Sequence, residues 1–207
     1  MATLKLEQPV IVNRDGTDTD VTEITIRMPA AREFVRHGSP FIWKSMDVND
    51  ARSRPVFNDK VVAKFLAECS DLDQAAIDTL TAPDYIAARW ALLLEIVTNN
   101  TANDSADQRV IKLSAPIVTH EGKVAELKLS TPRAKTVIAF GVPFDWRQDE
   151  NDRTYVVYDD RKCMKYLSEL TGHDEISLED VTAPDWITLR QKLLTVLVSF
   201  VEPPANP

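Results

Sequence analysis

The chain has 207 residues, 44% of them hydrophobic and 27% charged, the mix of an ordinary globular protein, which excludes wholesale disorder. Its 32 acidic against 24 basic side chains leave a net charge of −8, so no global attraction draws it to a polyanion such as nucleic acid. Five Gly against twelve Pro argue against an enzyme built on a Gly-rich, phosphate-cradling loop.

The chain opens on alternation. Leu4 and Leu6, then Ile24, Ile26 and Met28, stand two apart, with the turn residues Asn13, Asp15 and Gly16 between them. Period two predicts a β-hairpin of half-buried strands, closed at Pro29 because proline cannot go on donating to a ladder. Gly38, Pro40, Phe41 and Trp43 follow as an aromatic pair after a Gly-x-Pro turn. They either anchor the loop on its own hairpin or form a pocket for a partner segment, and residue type does not choose between these.

The rest of this stretch reads as helical. A helix from Asp59 to Cys69 puts Val61, Val62, Phe65 and Leu66 on one face. A last helix starts at Thr81, Ala82, Pro83 and Asp84. Thr suits the N-cap, Pro the first turn, and Asp three residues after Thr makes a short-chain capping box that also favours the helix dipole. Capping rather than catalysis accounts for Asp84. Tyr85, Ile86, Trp90, Leu92, Leu93, Ile96 and Val97 spread over more than one stripe of this helix, which must therefore bury a second face. Residues 98–108 are polar and aperiodic and read as a linker.

The chain then repeats itself. TAPDYIAARWALLLEIV at 81–97 recurs as TAPDWITLRQKLLTVLV at 182–198, and residues 57–97 align with 158–198 without a gap. Fourteen of those 41 positions are identical, where unrelated sequences match at roughly one in fifteen. At an offset of 103, Gly38, Pro40, Phe41 and Trp43 fall on Gly141, Pro143, Phe144 and Trp146. Leu4, Leu6 and Pro9 fall on Ile111, Leu113 and Pro116. Ile111 and Leu113, then Leu127 and Leu129, flank a turn at His120, Glu121 and Gly122 and predict a second hairpin, closed at Pro132. A second helix from Asp160 carries Cys163, Tyr166, Leu167 and Leu170 on one face. The second TAPD helix, capped by Thr182 and Asp185, carries Trp186, Ile187, Leu189, Leu193, Leu194, Leu197 and Val198.

The expected fold class is thus α+β: two tandem repeats, each a β-hairpin followed by two or three α-helices. The units span 1–98 and 109–201, with a linker at 99–108 and a disordered tail at 202–207. Residues 1–100 carry 11 basic and 15 acidic side chains and residues 101–207 carry 13 and 17, so no charge asymmetry separates the halves. A hairpin with two or three short helices makes a thin core, so the units are expected to pack on each other as an intrachain pseudo-dimer, partly through the last helices.

No catalytic constellation stands out. His37, His120 and His173 lie far apart without metal-ligand spacing and read as exposed loop histidines, and no nucleophile, P-loop or zinc motif occurs. Cys69 and Cys163 read as small buried hydrophobes in a reducing compartment. The start has no secretory pattern and no apolar run approaches the ~20 residues that cross a bilayer, so a cytoplasmic location is expected and the glycosylation-like triplets at Asn99 and Asn103 read as coincidences.

One further pattern bears on function. Leu6, Pro9 and Val10, then Glu23, Ile24 and Ile26, then Pro29, and finally Leu80, Thr81, Asp84 and Tyr85 stand in order in the first unit. Leu113, Pro116 and Ile117, Glu126, Leu127 and Leu129, Pro132, and Val181, Thr182, Asp185 and Trp186 do so in the second. Read as hairpin, proline, short acidic helix and closing Thr-x-x-Asp-aromatic helix, this resembles the Mu-like phage tail assembly chaperone family, over most of both units. Members normally carry one unit, so two in one chain is a departure. The resemblance implies a non-enzymatic protein without cofactors, of phage or prophage origin and made in the bacterial cytoplasm. It would hold the long helical tape measure protein in solution during tail assembly, with the tail tube subunit as a second partner and further self-association left open. The alternatives are a structural tail component retained in the virion and a bacterial protein-binding adaptor unrelated to phage. Tyr85, Trp90, Leu93, Trp186, Leu193 and Leu197 on the last helices, with Phe41, Trp43, Phe144 and Trp146 after the Gly-x-Pro turns, are the candidate partner-binding residues.

Overall fold

The computed structural model describes residues 1–47, 50–98, 107, 109–151 and 153–198. The linker expected at 99–108 lies outside the described residues except at position 107, and so does the whole tail at 202–207, together with Asn99 and Asn103.

Period two does produce the opening hairpin. β1 (Ala2–Arg14) pairs antiparallel with β2 (Thr17–Ile26), Arg14 opposite Thr17. Asp15 and Gly16 make the turn at φ of 52° and 82°, the left-handed values that match the strand twist of a two-residue hairpin. The register shifts between Lys5 and Val10, where Pro9 has no N–H to give. α1 (Ala31–His37) follows. Ala30 has no side-chain oxygen, so half of a capping box forms: its N–H donates to the Glu33 carboxylate at 2.7 Å.

The next element corrects the expectation of helix alone. β3 (Phe41–Asp47) and β4 (Asp50–Phe57) form a second antiparallel hairpin, Phe41 opposite Phe57. α2 (Asp59–Cys69), α3 (Gln74–Thr79) and α4 (Ala82–Val97) complete this stretch, with Val62, Phe65, Leu66 and Cys69 turned into the core.

The order hairpin, helix, hairpin, three helices then runs again through 110–198. β5 (Val110–Thr119) pairs with β6 (Gly122–Lys128), and α5 (Ala134–Phe140) follows. β7 (Phe144–Gln148) pairs with β8 (Thr154–Tyr158), and α6 (Asp160–Thr171), α7 (Glu175–Leu178) and α8 (Ala183–Val198) come last. The fold is therefore α+β, with eight helices and four separate antiparallel hairpins among the described residues. Each stretch has two hairpins around a helix where one hairpin was expected. No described helix is long and apolar enough to cross a membrane.

Backbone ties hold hairpins to helices at corresponding places. Arg27 N–H donates to the Cys69 carbonyl at 2.7 Å, and Ser130 N–H to Leu170 at 2.9 Å. Asn58 N–H reaches Pro40, and Asp159 N–H reaches Pro143, both at 2.9 Å. These bonds satisfy carbonyls that helix ends and turns leave open.

The two stretches meet unequally. The start of α1 lies along the segment between α7 and α8: Ala31 N–H donates to Val181 at 2.8 Å and Ala183 N–H donates to Pro29 at 2.9 Å. Arg32 adds an ion pair to Asp180 at 2.9 Å, and Arg161 reaches the Val35 carbonyl at 3.3 Å. α1 also packs on α6, α4 touches α8, and β3 touches β8. One continuous apolar cluster runs from Leu6 to Val196 through both stretches.

Candidate partner-binding site

β3, β8 and the middle of α8 border a cleft of about 530 Å³. Phe41, Trp43, Tyr155 and Tyr158 line it with apolar rings, and Arg190 reaches it from α8. Phe41 points inward and meets Trp43 edge to face with centroids 5.7 Å apart, while Trp43 stays 42% exposed. Lys44 sits over the Tyr155 ring at 4.6 Å, which joins the two hairpins across the cleft.

Beneath the cleft lies a buried ion pair. Arg190 donates to Asp160 at 2.8 Å, and the Trp186 indole N–H donates to the same carboxylate oxygen at 2.8 Å. The guanidinium lies between the rings of Phe34, at 5.2 Å, and Tyr158, at 4.8 Å, and donates to the Ser39 hydroxyl at 2.9 Å. Burial pushes the Asp160 carboxyl up, against the pull of Arg190 and the Trp186 hydrogen bond. The other Asp160 oxygen and Arg190 Nε have no hydrogen-bond partner among the described residues.

Residues in register in the first stretch build a looser version. Tyr85 donates to Asp59 at 3.1 Å, Arg89 donates to Asp59 at 3.1 Å, and the Arg89 guanidinium stands over Phe57 at 4.4 Å. Burial and the Asp59 charge raise the Tyr85 hydroxyl to about 12. Here the ion pair stands at the surface, whereas Asp160 and Arg190 are enclosed.

The expected binding residues divide by burial. Trp186, Leu93 and Leu193 lie inside the core and offer no surface, which corrects their place among partner-binding candidates. Broad apolar faces on α4 and α8 are consumed by packing at these positions. Tyr85, Leu197 and Phe144 are half-buried, and Phe41 is buried at the rim of the cleft. Trp43 and Trp146 sit on strands rather than loops, Trp146 at 55% exposure. Trp90 is 44% exposed on α4, its ring edge to face with Phe57 at 5.3 Å.

Sequence reasoning missed the two flanking residues. Ile86, at 46%, and Leu94, at 53%, stand four residues either side of Trp90. Residues four apart lie one above the other on a helix, so the three make one exposed apolar stripe along α4. The corresponding α8 positions, Ile187, Gln191 and Thr195, carry no such stripe. The spacing was legible in the sequence; what it lacked was the burial of Leu92, Leu93 and Ile96, which assigns the core to the opposite face.

The remaining candidate groups are structural. His37 closes α1 and its Nε2 hydrogen-bonds to Glu68 at 2.7 Å, so it is not the free loop histidine expected; His120 is exposed at its turn. Burial raises the Cys69 thiol to about 12 and pushes Cys163 higher still, so neither is a ready nucleophile. No three His, Cys, Asp or Glu among the described residues are grouped to hold a metal ion. The chain matches no family model, no curated protein and no solved structure.

Proposed function

We propose that the chain is a phage tail assembly chaperone that covers apolar helical stretches of the tape measure protein. It acts without chemistry of its own, in the cytoplasm of a bacterial host. The α4 stripe of Ile86, Trp90 and Leu94 carries this reading. An amphipathic helix recognises such a strip with its own i, i+4 anchors, and exposed apolar surface on an otherwise polar protein is what a holding contact needs. The net charge of −8 keeps the complex dispersed. The resemblance carried by Pro9, Thr81, Asp84 and Tyr85 supplies the identity of the partner.

The two stretches are read as copies of one unit, 1–98 and 109–201, packed as an intrachain pseudo-dimer. The fourteen identities between 57–97 and 158–198 support this, as do the paired ties at Cys69 and Leu170 and at Pro40 and Pro143.

Co-expression with the tape measure protein tests the function. The wild type is expected to raise the soluble yield of that protein several-fold. I86E and L94E, at exposed positions that leave the core untouched, are expected to abolish the gain while unfolding at the wild-type temperature. Folded variants that rescue as well as the wild type would remove the stripe from the mechanism. Finding the chain stoichiometric in purified particles would favour a tail component instead.

A further inference from the structure

The contact between the two stretches is one-sided, and its unused halves are complementary. In the chain, α1 lies against α6 and the segment before α8, where Met164, Leu178 and Ala183 are buried. The residues in register with that seat on the first stretch are Ala63, Ile77 and Ala82. There α2, α3 and α4 border an open cleft of about 510 Å³, lined by Ala63, Ile77 and Tyr85, and Ala82 and Pro83 are exposed. Where Met164 fills its seat, Ala63 leaves space.

The residues in register with α1 lie on α5 and are just as open. Ile138, in register with Val35, is 84% exposed, and Val137, in register with Phe34, is also uncovered. Arg133 and Lys135 stand at the start of α5, as Arg32 stands at the start of α1, and the cleft is lined by Asp59 and Asp78 together with Lys60 and Lys64. Lys60, also on the cleft, is in register with Arg161, which reaches the Val35 carbonyl.

We propose that the chain associates head to tail with further copies of itself, α5 of one copy seating in the cleft on α2, α3 and α4 of the next. The intrachain seat of α1 is the template for this contact, so the inference rests on reading the two stretches as copies of one unit. Made once per pair, a contact between two different surfaces leaves a free cleft on one copy and a free α5 on the other, so it extends into a ring or an open series.

Sedimentation of the full chain tests this with two variants. I138E spoils the α5 surface. A82E places a long acid at the first turn of α4, which the helix dipole favours, on a spot whose counterpart, Ala183, is wholly enclosed. Wild type is expected to grow beyond dimer as concentration rises, and each variant alone to remain monomeric with wild-type circular dichroism. Mixing the two variants is expected to give a 1:1 dimer and nothing larger, because one intact cleft and one intact α5 remain. A wild type that stays monomeric throughout overturns the inference and leaves the reading of two copies standing. If I138E abolishes growth while A82E does not, α5 seats elsewhere and the proposed contact is overturned, with the reading of two copies again left standing. Loss of tape measure rescue in I86E bears on neither.

Discussion

The Asp185 carboxylate accepts the N–H of Ser114 at 2.8 Å, seventy-one residues earlier in the chain. It takes the Ser114 hydroxyl at 2.8 Å and the Thr182 hydroxyl at 2.9 Å on the same oxygen. Asp84 makes the corresponding contacts in the first stretch with one oxygen each, accepting the Glu7 N–H at 2.9 Å on Oδ1 and the Thr81 hydroxyl at 2.8 Å on Oδ2. Both contacts fall where the strand register breaks, between Lys5 and Val10 and between Lys112 and Ile117. Each Asp thus completes a helix start and also satisfies a strand N–H that the ladder has released. Local capping, the role expected for them, is half of what they do.

Replacing either Asp by Ala leaves a backbone N–H in a partly buried place without its acceptor. Hydrogen bonds to a charged group are worth about 1.5–3 kcal/mol, and the bond that orients the Thr hydroxyl at the helix start adds up to about 1. D84A and D185A are each expected to lower stability by about 2–4 kcal/mol in denaturant titration, and Asn to recover part of the loss. A loss below about 1 kcal/mol, the value of capping alone, would show the strand contact to be idle.

Glu33 carries a pH dependence. Burial pushes its carboxyl up, but the Arg27 hydrogen bond at 2.6 Å, the Ala30 N–H and the charges of Arg27 and Arg32 bring it below its ordinary value. A carboxyl with a depressed folded value stabilises above its unfolded value, about 4.3, and loses that contribution as pH falls through the folded one. E33Q is expected to be less stable than wild type by about 1–3 kcal/mol at pH 7. The gap should begin to close below about pH 4.3 and vanish once Glu33 is protonated in both states. A gap that is constant with pH would place the effect in shape rather than charge.

Much of this was open to a reader of the sequence, and the rest failed for identifiable reasons. α2 emerges at Asp59–Cys69, as its apolar spacing predicts, and β1 and β2 turn at Asp15 and Gly16. The second hairpins were lost because β3 mixes Lys44 and Ser45 with its aromatics and β4 carries Pro55 in its interior, a residue that argues against a strand. β8 was recoverable, since Thr154, Tyr155, Val156, Val157 and Tyr158 are β-branched or aromatic throughout. The buried Asp160–Trp186–Arg190 set was not, because its members stand 26 and 30 residues apart and only tertiary packing joins them. One signal did mark it: Asp59 and Arg89 recur as Asp160 and Arg190, identical charges within an apolar register.

Those two ion pairs make an internal comparison of burial. Both link an Asp to an Arg thirty residues on, at 3.1 Å for Asp59–Arg89 and 2.8 Å for Asp160–Arg190. Asp59 stands in solvent, so water screens its pair, and breaking it with R89M is expected to cost about 0–1 kcal/mol of ion-pair energy. Asp160 has no such relief. R190M leaves a carboxylate enclosed with Trp186 alone, and removing one partner of a buried pair costs about 3–5 kcal/mol. D160N keeps an oxygen for the indole but strands the guanidinium between Phe34 and Tyr158. The double variant D160N/R190M buries neither charge, so it is expected to be less damaged than the two single losses added together, by about 1 kcal/mol or more. Unfolding free energies of the wild type, D160N, R190M and the double variant measure this. Additive losses at Asp160 and Arg190 would mean that each side chain acts through its own packing and that the pair is incidental.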